Sequence, residues 1–303
     1  MSEAIIDQFN EHMGIDGAVR FAVGPGGITR VELTAKGAQA HVLLHGAQVV
    51  HYQPADGEPV IFTSDQAIFA RGHAIRGGVP ICFPWFGQRR EGGQGLLHGF
   101  ARNRAWKVTR TLKEPDGRVR VLMSLSDDER TREFWPHAFE LIAMVTLGSS
   151  LKISLAIRNP GDRVFSCEAA LHTYFAVSDV RQVRLVGLES SPYLDKLDHF
   201  ARKEAEGKPL TLTGPVDRIY PDAPARLLLH DPGPSRRIQI DQIGAESTIV
   251  WNPWSDGAQR FADLADDAWP KMLCVETGSV GHNAFQVKPG AFHEIQAIYT
   301  VSS

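Results

Sequence analysis

The sequence predicts an all-β protein, a large antiparallel β-sandwich with a few short helices, and three features carry that prediction. Apolar runs are short and are separated at close intervals by Gly, Pro, Asn and Asp, the spacing of strands joined by turns. Where the alternation is cleanest, Val119, Val121, Met123 and Leu125 oppose Arg118, Arg120 and Ser124, and Leu151, Ile153, Leu155 and Ile157 oppose Lys152, Ser154 and Arg158. Each segment therefore reads as a strand with one buried face. Helical signals are few and brief, and no strand alternates with a long helix, which disfavours a parallel doubly wound sheet. With no fixed-period repeat, low-complexity tract or linker, residues 1–303 read as a single domain.

In chain order, residues 1–14 predict a short amphipathic helix in which Ile5, Phe9 and Met13 form one stripe. Gly24-Pro25-Gly26-Gly27 separates an apolar run at 19–23 from one at 28–33, and Lys36-Gly37 leads into 38–44. Gly46 and Pro54-Ala55-Asp56-Gly57 bound His51 and Tyr52, and a further run follows at 60–62. Short helices are expected at 131–139 and 261–269. Strands are expected at 165–171, 183–186, 226–230, 237–240, 247–251, 272–276 and 293–299.

Residues 76–102 break this rhythm. RGGVPICFPWFG, a Gly-rich loop and LLHGFARNRAW bring Phe83, Trp85, Phe86 and Phe100 beside Arg76, Arg89, Arg90, Arg102 and Arg104, with His98 among them. Pro80 and Pro84 exclude a regular central strand or helix interior. The segment therefore reads either as an irregular pocket wall, with aromatic faces for a sugar or base and guanidinium forks for an anion, or as a loop capping the core.

Bulk properties narrow the function. A hydrophobic content of 43% with 22% charged residues suits a globular protein, and no apolar segment approaches the roughly 18 residues of a membrane span. The net charge of −3 is spread without a basic stripe, which argues against a nucleic-acid partner. The first residues lack the features of a secretory signal. Cys82, Cys167 and Cys274 are odd in number, far apart and without metal spacing, so the expectation is buried thiols in a reducing cytoplasm.

No nucleotide, zinc-protease or serine-hydrolase signature is present. Two residues stand out at the ends of apolar strands. His172, after Glu168-Ala169-Ala170-Leu171, is either a hydrogen-bonded core histidine or a group able to exchange a proton near neutrality. Glu276, after Met272-Leu273-Cys274-Val275, is a costly carboxylate that suits either a general base or a structural ion pair. Asp217 and Arg218 in GPVDRIY suit sugar hydroxyls or a plain turn, and Trp251 and Trp254 in VWNPW suit a sugar floor or the core.

Taken together and in order, RGGVPICFPWFG, HGFAR, FWPHAFEL, LHTYFAVSDV, DRIY, VWNPW and CVETGSV resemble the glucose-6-phosphate 1-epimerase group of the aldose 1-epimerase (mutarotase) family, over residues 76–278. The resemblance implies a galactose-mutarotase-like β-sandwich without metal or organic cofactor. It also implies interconversion of the α and β anomers of glucose 6-phosphate or a related hexose 6-phosphate. It makes His172 the general acid and Glu276 the general base, His98 a substrate-orienting histidine and Asp217 a hydroxyl-binding aspartate. Arg76 and Arg102 fall at the sugar phosphate, and Gln88 and Trp251 complete the expected substrate-binding set. The implied partner is a small sugar phosphate, with neither nucleic acid nor membrane, and the implied state is a monomer or weak homodimer. The Gly-Ser-Val ending of CVETGSV and the insertion REGGQG at 90–95 depart from relatives and bear on sugar preference. Three rivals are a sandwich that binds sugars without catalysis, a mutarotase for another aldose, and a cupin-like metal isomerase using His98, His172 and Glu276. The missing His-x-His spacing argues against the last.

Overall fold

The structure is a computed structural model, and it describes residues 3–89 and 96–302. Arg90 and the insertion at 90–95 therefore lie outside the described residues, as do Met1 and Ser2 of the expected first helix.

Helix α1 (Glu3–Met13) buries Ile6, stacks Phe9 on Phe21 with ring centroids 5.0 Å apart and rests Met13 on the core. Ile5 is exposed, so the buried stripe is Ile6, Phe9 and Met13, one position round from the expected one, because i, i+3, i+7 follows the helical period more closely. Strands β1 (Val19–Val23), β2 (Thr29–Ala35), β3 (Ala38–Leu43) and β4 (Gln48–Gln53) pair in sequence order. Lys36 and Gly37 both take positive φ, 51° and 80°, which matches the tight turn joining β2 to β3.

The 60–62 run forms isolated bridges rather than a strand, and β5 is only Ile81–Cys82, confined between Pro80 and Pro84. Next come β6 (Lys107–Lys113), β7 (Val119–Ser126), α2 (Glu129–Phe134), β8 (Glu140–Leu147) and β9 (Leu151–Arg158). Helix α2 starts at a capping box between Asp128 and Thr131 and stops before Pro136, earlier than the expected 139. The apolar faces of β7 and β9 are buried as the alternation requires, except that Leu125 near the end of β7 is half-buried, and Ser154 on the opposite face of β9 is buried as well.

The expected strand at 165–171 splits at Glu168 into β10 (Phe165–Cys167) and β11 (Ala169–Leu171), which enter different sheets. The chain continues through β12 (Tyr174–Ala176), β13 (Arg184–Val186), β14 (Tyr193–Asp195), β15 (Ala201–Lys203), β16 (Val216–Tyr220), β17 (Arg226–Asp231), β18 (Arg236–Ile243) and β19 (Ser247–Asn252). Helix α3 (Trp254–Ala258) was not expected. The helix foreseen at 261–269 is a series of turns, where Asp263, Asp266 and Asp267 favour local turns, and the chain then enters a single 3-10 turn at Trp269–Lys271 with Pro270 in its first positions. Strands β20 (Met272–Ser279), β21 (Phe285–Val287) and β22 (Phe292–Ser302) close the chain.

Among the described residues these strands form two eight-stranded sheets, one four-stranded sheet and one two-stranded ribbon, and every strand pair is antiparallel. The first large sheet runs β15-β14-β16-β19-β20-β11-β5 with β12 also on β20, and the second runs β13-β17-β18-β22-β9-β8-β7-β6. Strands β11 and β20 pack on β22, while β2 and β3 pack on β7 and β8, giving the layered β-sandwich predicted. No described helix is long and apolar enough to cross a membrane.

Candidate active site

The gap between β11 and β12 places the histidine. Both short strands pair with β20, with Leu171 opposite Thr277 and Tyr174 opposite Cys274, and the two residues between them bridge the break. Alternation then sends Thr173 inward and its neighbours outward. Thr173 shares a hydrogen bond with the hydroxyl of Tyr299 from the facing sheet and accepts at its carbonyl from the Val275 amide. His172 and Tyr174 consequently face the opposite side, their rings stacked with centroids 4.9 Å apart.

On β20 the same alternation turns Val275 into the core and Glu276 toward His172. Nε2 of His172 lies 3.3 Å from Oε1 of Glu276, with side chains 8% and 1% exposed. Nδ1 of His172 and Oε2 of Glu276 are buried without a hydrogen-bond partner. Such orphaned polar atoms are costly in a folded protein and are common where a ligand supplies the missing partner.

These side chains open on a cavity of about 790 Å³. Asp217 on β16 and Trp251 on β19 are register partners on the adjoining strands and line it too. The DRIY motif is therefore a strand rather than a turn. Arg218 points away, bonding Glu206 at 2.8 Å and covering the ring of Tyr193. Trp254 packs on Trp269 and Arg104 on Asp128, both apart from the residues that line the cavity.

The rim comes from residues 76–102. Backbone crossings there leave no room for side chains: a Cβ on Gly78 would fall 2.4 Å from the Val49 carbonyl oxygen, and one on Gly99 would fall 2.0 Å from that of Phe83. Buried Gln48 donates to the carbonyls of Ile75 and Gly77 on either side of Arg76. The Arg76 guanidinium meets Asp263 through Nε at 3.1 Å and Tyr174 through Nη1 at 3.3 Å, and lies 4.3 Å from the centroid of Phe261. Arg102 donates through Nη2 to the Leu97 carbonyl at 2.8 Å, while its Nε is buried without a partner. Arg89 and Gln88 also line the cavity. His98, held at φ 62°, accepts at Nδ1 from the Gly87 amide at 3.2 Å, which leaves Nε2 as its proton-bearing nitrogen. Its ring lies 5.5 Å from that of His172.

All eight expected site residues thus line one cavity. Lys196, Tyr174, Glu168, Phe261 and Asp263 line it as well and were not foreseen. Glu168 accepts from the amides of Phe86 and Gly281, both at 2.7 Å, and so ties the rim to the end of β20. Its one signal in the sequence was a carboxylate inside an apolar strand.

Electrostatics follow from burial. Desolvation holds the His172 imidazole well below its ordinary value, helped by His98, Arg102 and Arg76. Desolvation also holds the Glu276 carboxyl well above the usual carboxylate range, opposed by Lys196 and Arg102 and reinforced by Asp217. Burial therefore pushes both groups toward their neutral forms. That reverses the charge assignment expected from their roles while keeping the same proton count. Among the described residues no three His, Cys, Asp or Glu side chains converge as a metal-binding set.

The aldose 1-epimerase family profile matches residues 29–300. The chain belongs to the aldose 1-epimerase family. Within it, a Cenchrus ciliaris protein named "putative glucose-6-phosphate 1-epimerase" is 36% identical over 275 residues, covering 88% of this chain and 82% of its own length. An Escherichia coli K12 protein of the same name is 33% identical over 261 residues, 86% of each chain. The crystal structure of a "putative mutarotase" from Salmonella typhimurium superposes with a TM-score of 0.89 at 27% identity over 99% of both chains. This aldose 1-epimerase is an epimerase with the mutarotase fold.

Proposed function

We propose that this epimerase interconverts the α and β anomers of glucose 6-phosphate or a closely related hexose 6-phosphate. One observation carries the reading: a buried His172–Glu276 contact of 3.3 Å, with an unpartnered buried atom on each residue, at a cavity rimmed by Arg76 and Arg102. The names of its relatives point to the same substrate.

In the proposed mechanism, ionised Glu276 removes the proton of the anomeric hydroxyl while protonated His172 donates to the ring oxygen. The C1–O5 bond breaks and the anomeric carbon becomes an aldehyde. Rotation about C1–C2 and reclosure with the roles reversed give the other anomer. The reactive charge pair differs from the neutral resting pair only by movement of one proton, so no net charge need enter the buried site. Each positioned transfer contributes on the order of 10²- to 10⁴-fold.

His98 presents Nε2–H and Asp217 an acceptor to sugar hydroxyls, Trp251 and Gln88 flank the sugar, and Arg76 and Arg102 bind the phosphate. The phosphate carries roughly −1.5 to −2 charges at neutral pH and three acceptor oxygens, which guanidinium forks match. Every group named comes from one chain, so a monomer or weak homodimer suffices. The three free, buried cysteines suit a reducing cytoplasm. The deciding experiment is anomer-exchange NMR on glucose, galactose, mannose and their 6-phosphates. Acceleration confined to the phosphorylated sugars is expected, and equal rates with free sugars would refute the phosphate assignment.

A further inference from the structure

Lys196 follows β14 at the start of a tight turn whose construction fixes the direction of its side chain. Asp195 caps the turn by accepting from the Leu197 amide at 3.0 Å, and the Phe200 amide returns to the Asp195 carbonyl at 2.8 Å. His199 and Phe200 are both held at positive φ, 50° and 61°, a conformation that two successive non-glycine residues seldom adopt. The outcome is a lysine directed into the cavity, its side chain 22% exposed, while Leu197 faces solvent and the largely exposed Phe200 sits at the cavity mouth.

The ammonium is held from two walls. Nζ lies 2.8 Å from Oδ1 of Asp217, an ion pair by distance that is not aligned as a hydrogen bond, and 5.5 Å from the ring centroid of Phe86. Asp217 and Glu276 project from the same face of the sheet, since Asp217 pairs with Trp251 and Trp251 with Cys274, two residues from Glu276. The Glu276 carboxylate has His172 as its neighbour at 3.3 Å, and its other oxygen has no donor.

We infer that Lys196 is a positioning residue for the epimerisation: it holds Asp217 as an acceptor and supplies the counter-charge that lets buried Glu276 act as an ionised base. This rests on the acid–base reading above. The groups facing Glu276 are His172 from the β11–β12 junction, Arg102 from the rim, Asp217 from β16, Cys82 from β5, Cys274 from β20 itself and Lys196 from the turn. Of the cations, Lys196 exerts the strongest pull toward the ionised form. Removing it makes the carboxyl keep its proton to higher pH, so the alkaline limit of activity moves upward and less of the one-proton pair carries its charge on Glu276.

The test is anomer exchange of glucose 6-phosphate against pH for wild type, Lys196→Met and Lys196→Arg, with folding checked by circular dichroism. Expected for Lys196→Met is a loss of at least about tenfold in kcat at the pH optimum, with the alkaline limb of the profile displaced to higher pH and the acid limb little moved. Lys196→Arg, which keeps the charge, should hold the wild-type profile. An alkaline limb that does not move, a change in KM alone, or equal losses in both variants would overturn the inference. Should wild type fail to accelerate exchange, the acid–base reading itself falls. The lysine is then judged by ¹³C NMR titration of the Glu276 carboxyl in ligand-free protein. A midpoint raised in Lys196→Met and restored in Lys196→Arg supports it, and an unmoved midpoint refutes it.

Discussion

Glu276 on β20 and His172 at the junction of two strands paired with it are 1% and 8% exposed, whereas Arg76 and Arg102 reach the same cavity from a bend and a single 3-10 turn. The floor is positioned by register: β11, β12 and β20 fix both side chains, and Thr173 anchors the junction to Tyr299 on the facing sheet. The rim is positioned by individual contacts, such as Gln48 on the carbonyls beside Arg76 and Glu168 on the Phe86 amide. Proton transfer tolerates little displacement, so it suits the sheet. Phosphate binding by multidentate guanidinium groups tolerates more, and its loops are free to vary with the sugar.

This contrast is broken first at the floor. Glu276→Gln and His172→Asn should each lower kcat for anomer exchange by on the order of 10²- to 10⁴-fold with KM nearly unchanged. A large KM effect with normal kcat in either variant would mean that the floor binds rather than reacts. At the rim the pattern should invert. Arg102→Ala or Arg76→Ala should raise KM for glucose 6-phosphate by roughly 10- to 100-fold while kcat stays within about threefold, since the phosphate is remote from C1. Exchange of free glucose, however slow, should be unaffected.

The pH profile sharpens the floor further. Burial lowers His172 and raises Glu276, so the pair carries one proton between those two limits. Below the window the pair gains a second proton and loses its base. Above the window it loses its last proton and with it the acid. A bell-shaped profile of kcat/KM is expected, and a flat one would remove the pair from the mechanism.

Stability gives the smaller effects. A raised carboxyl is a native-state penalty that grows as pH rises from the ordinary carboxylate range toward the folded value. Glu276→Gln should therefore be more thermostable than wild type in alkaline buffer, by roughly 2–4 °C for each kcal/mol relieved, with the gap closing in acid. Glu168→Gln, which leaves one of the two backbone amides facing an NH2 group, should cost about 1–3 kcal/mol in denaturant unfolding and raise KM only a few-fold.

Much of the fold was legible because period-two alternation is a local signal: β7, β9 and β20 lie where apolar patterning placed them. The errors fell on short elements. The turns at 261–269 and the helix Trp254–Ala258 were misjudged because a few residues of helical pattern lose to Asp- and Pro-driven turns and to tertiary contacts. Of the site, His172 and Glu276 were visible as polar residues ending apolar strands, and Arg76 and Arg102 as charges in an aromatic loop. Lys196 and Asp263 sit in stretches rich in charge, where nothing local separates a cavity lysine from a solvated one.

By itself, then, the sequence determined the antiparallel sandwich, the family motifs and which residue types carry the chemistry. Only the tertiary structure decided that His172 faces Glu276 at 3.3 Å, that burial pushes both toward their neutral forms, and that Lys196 meets Asp217 beside them. Apolar periodicity is written along the chain. The desolvation and close pairing that tune a buried proton arise only when strands distant in sequence are brought side by side.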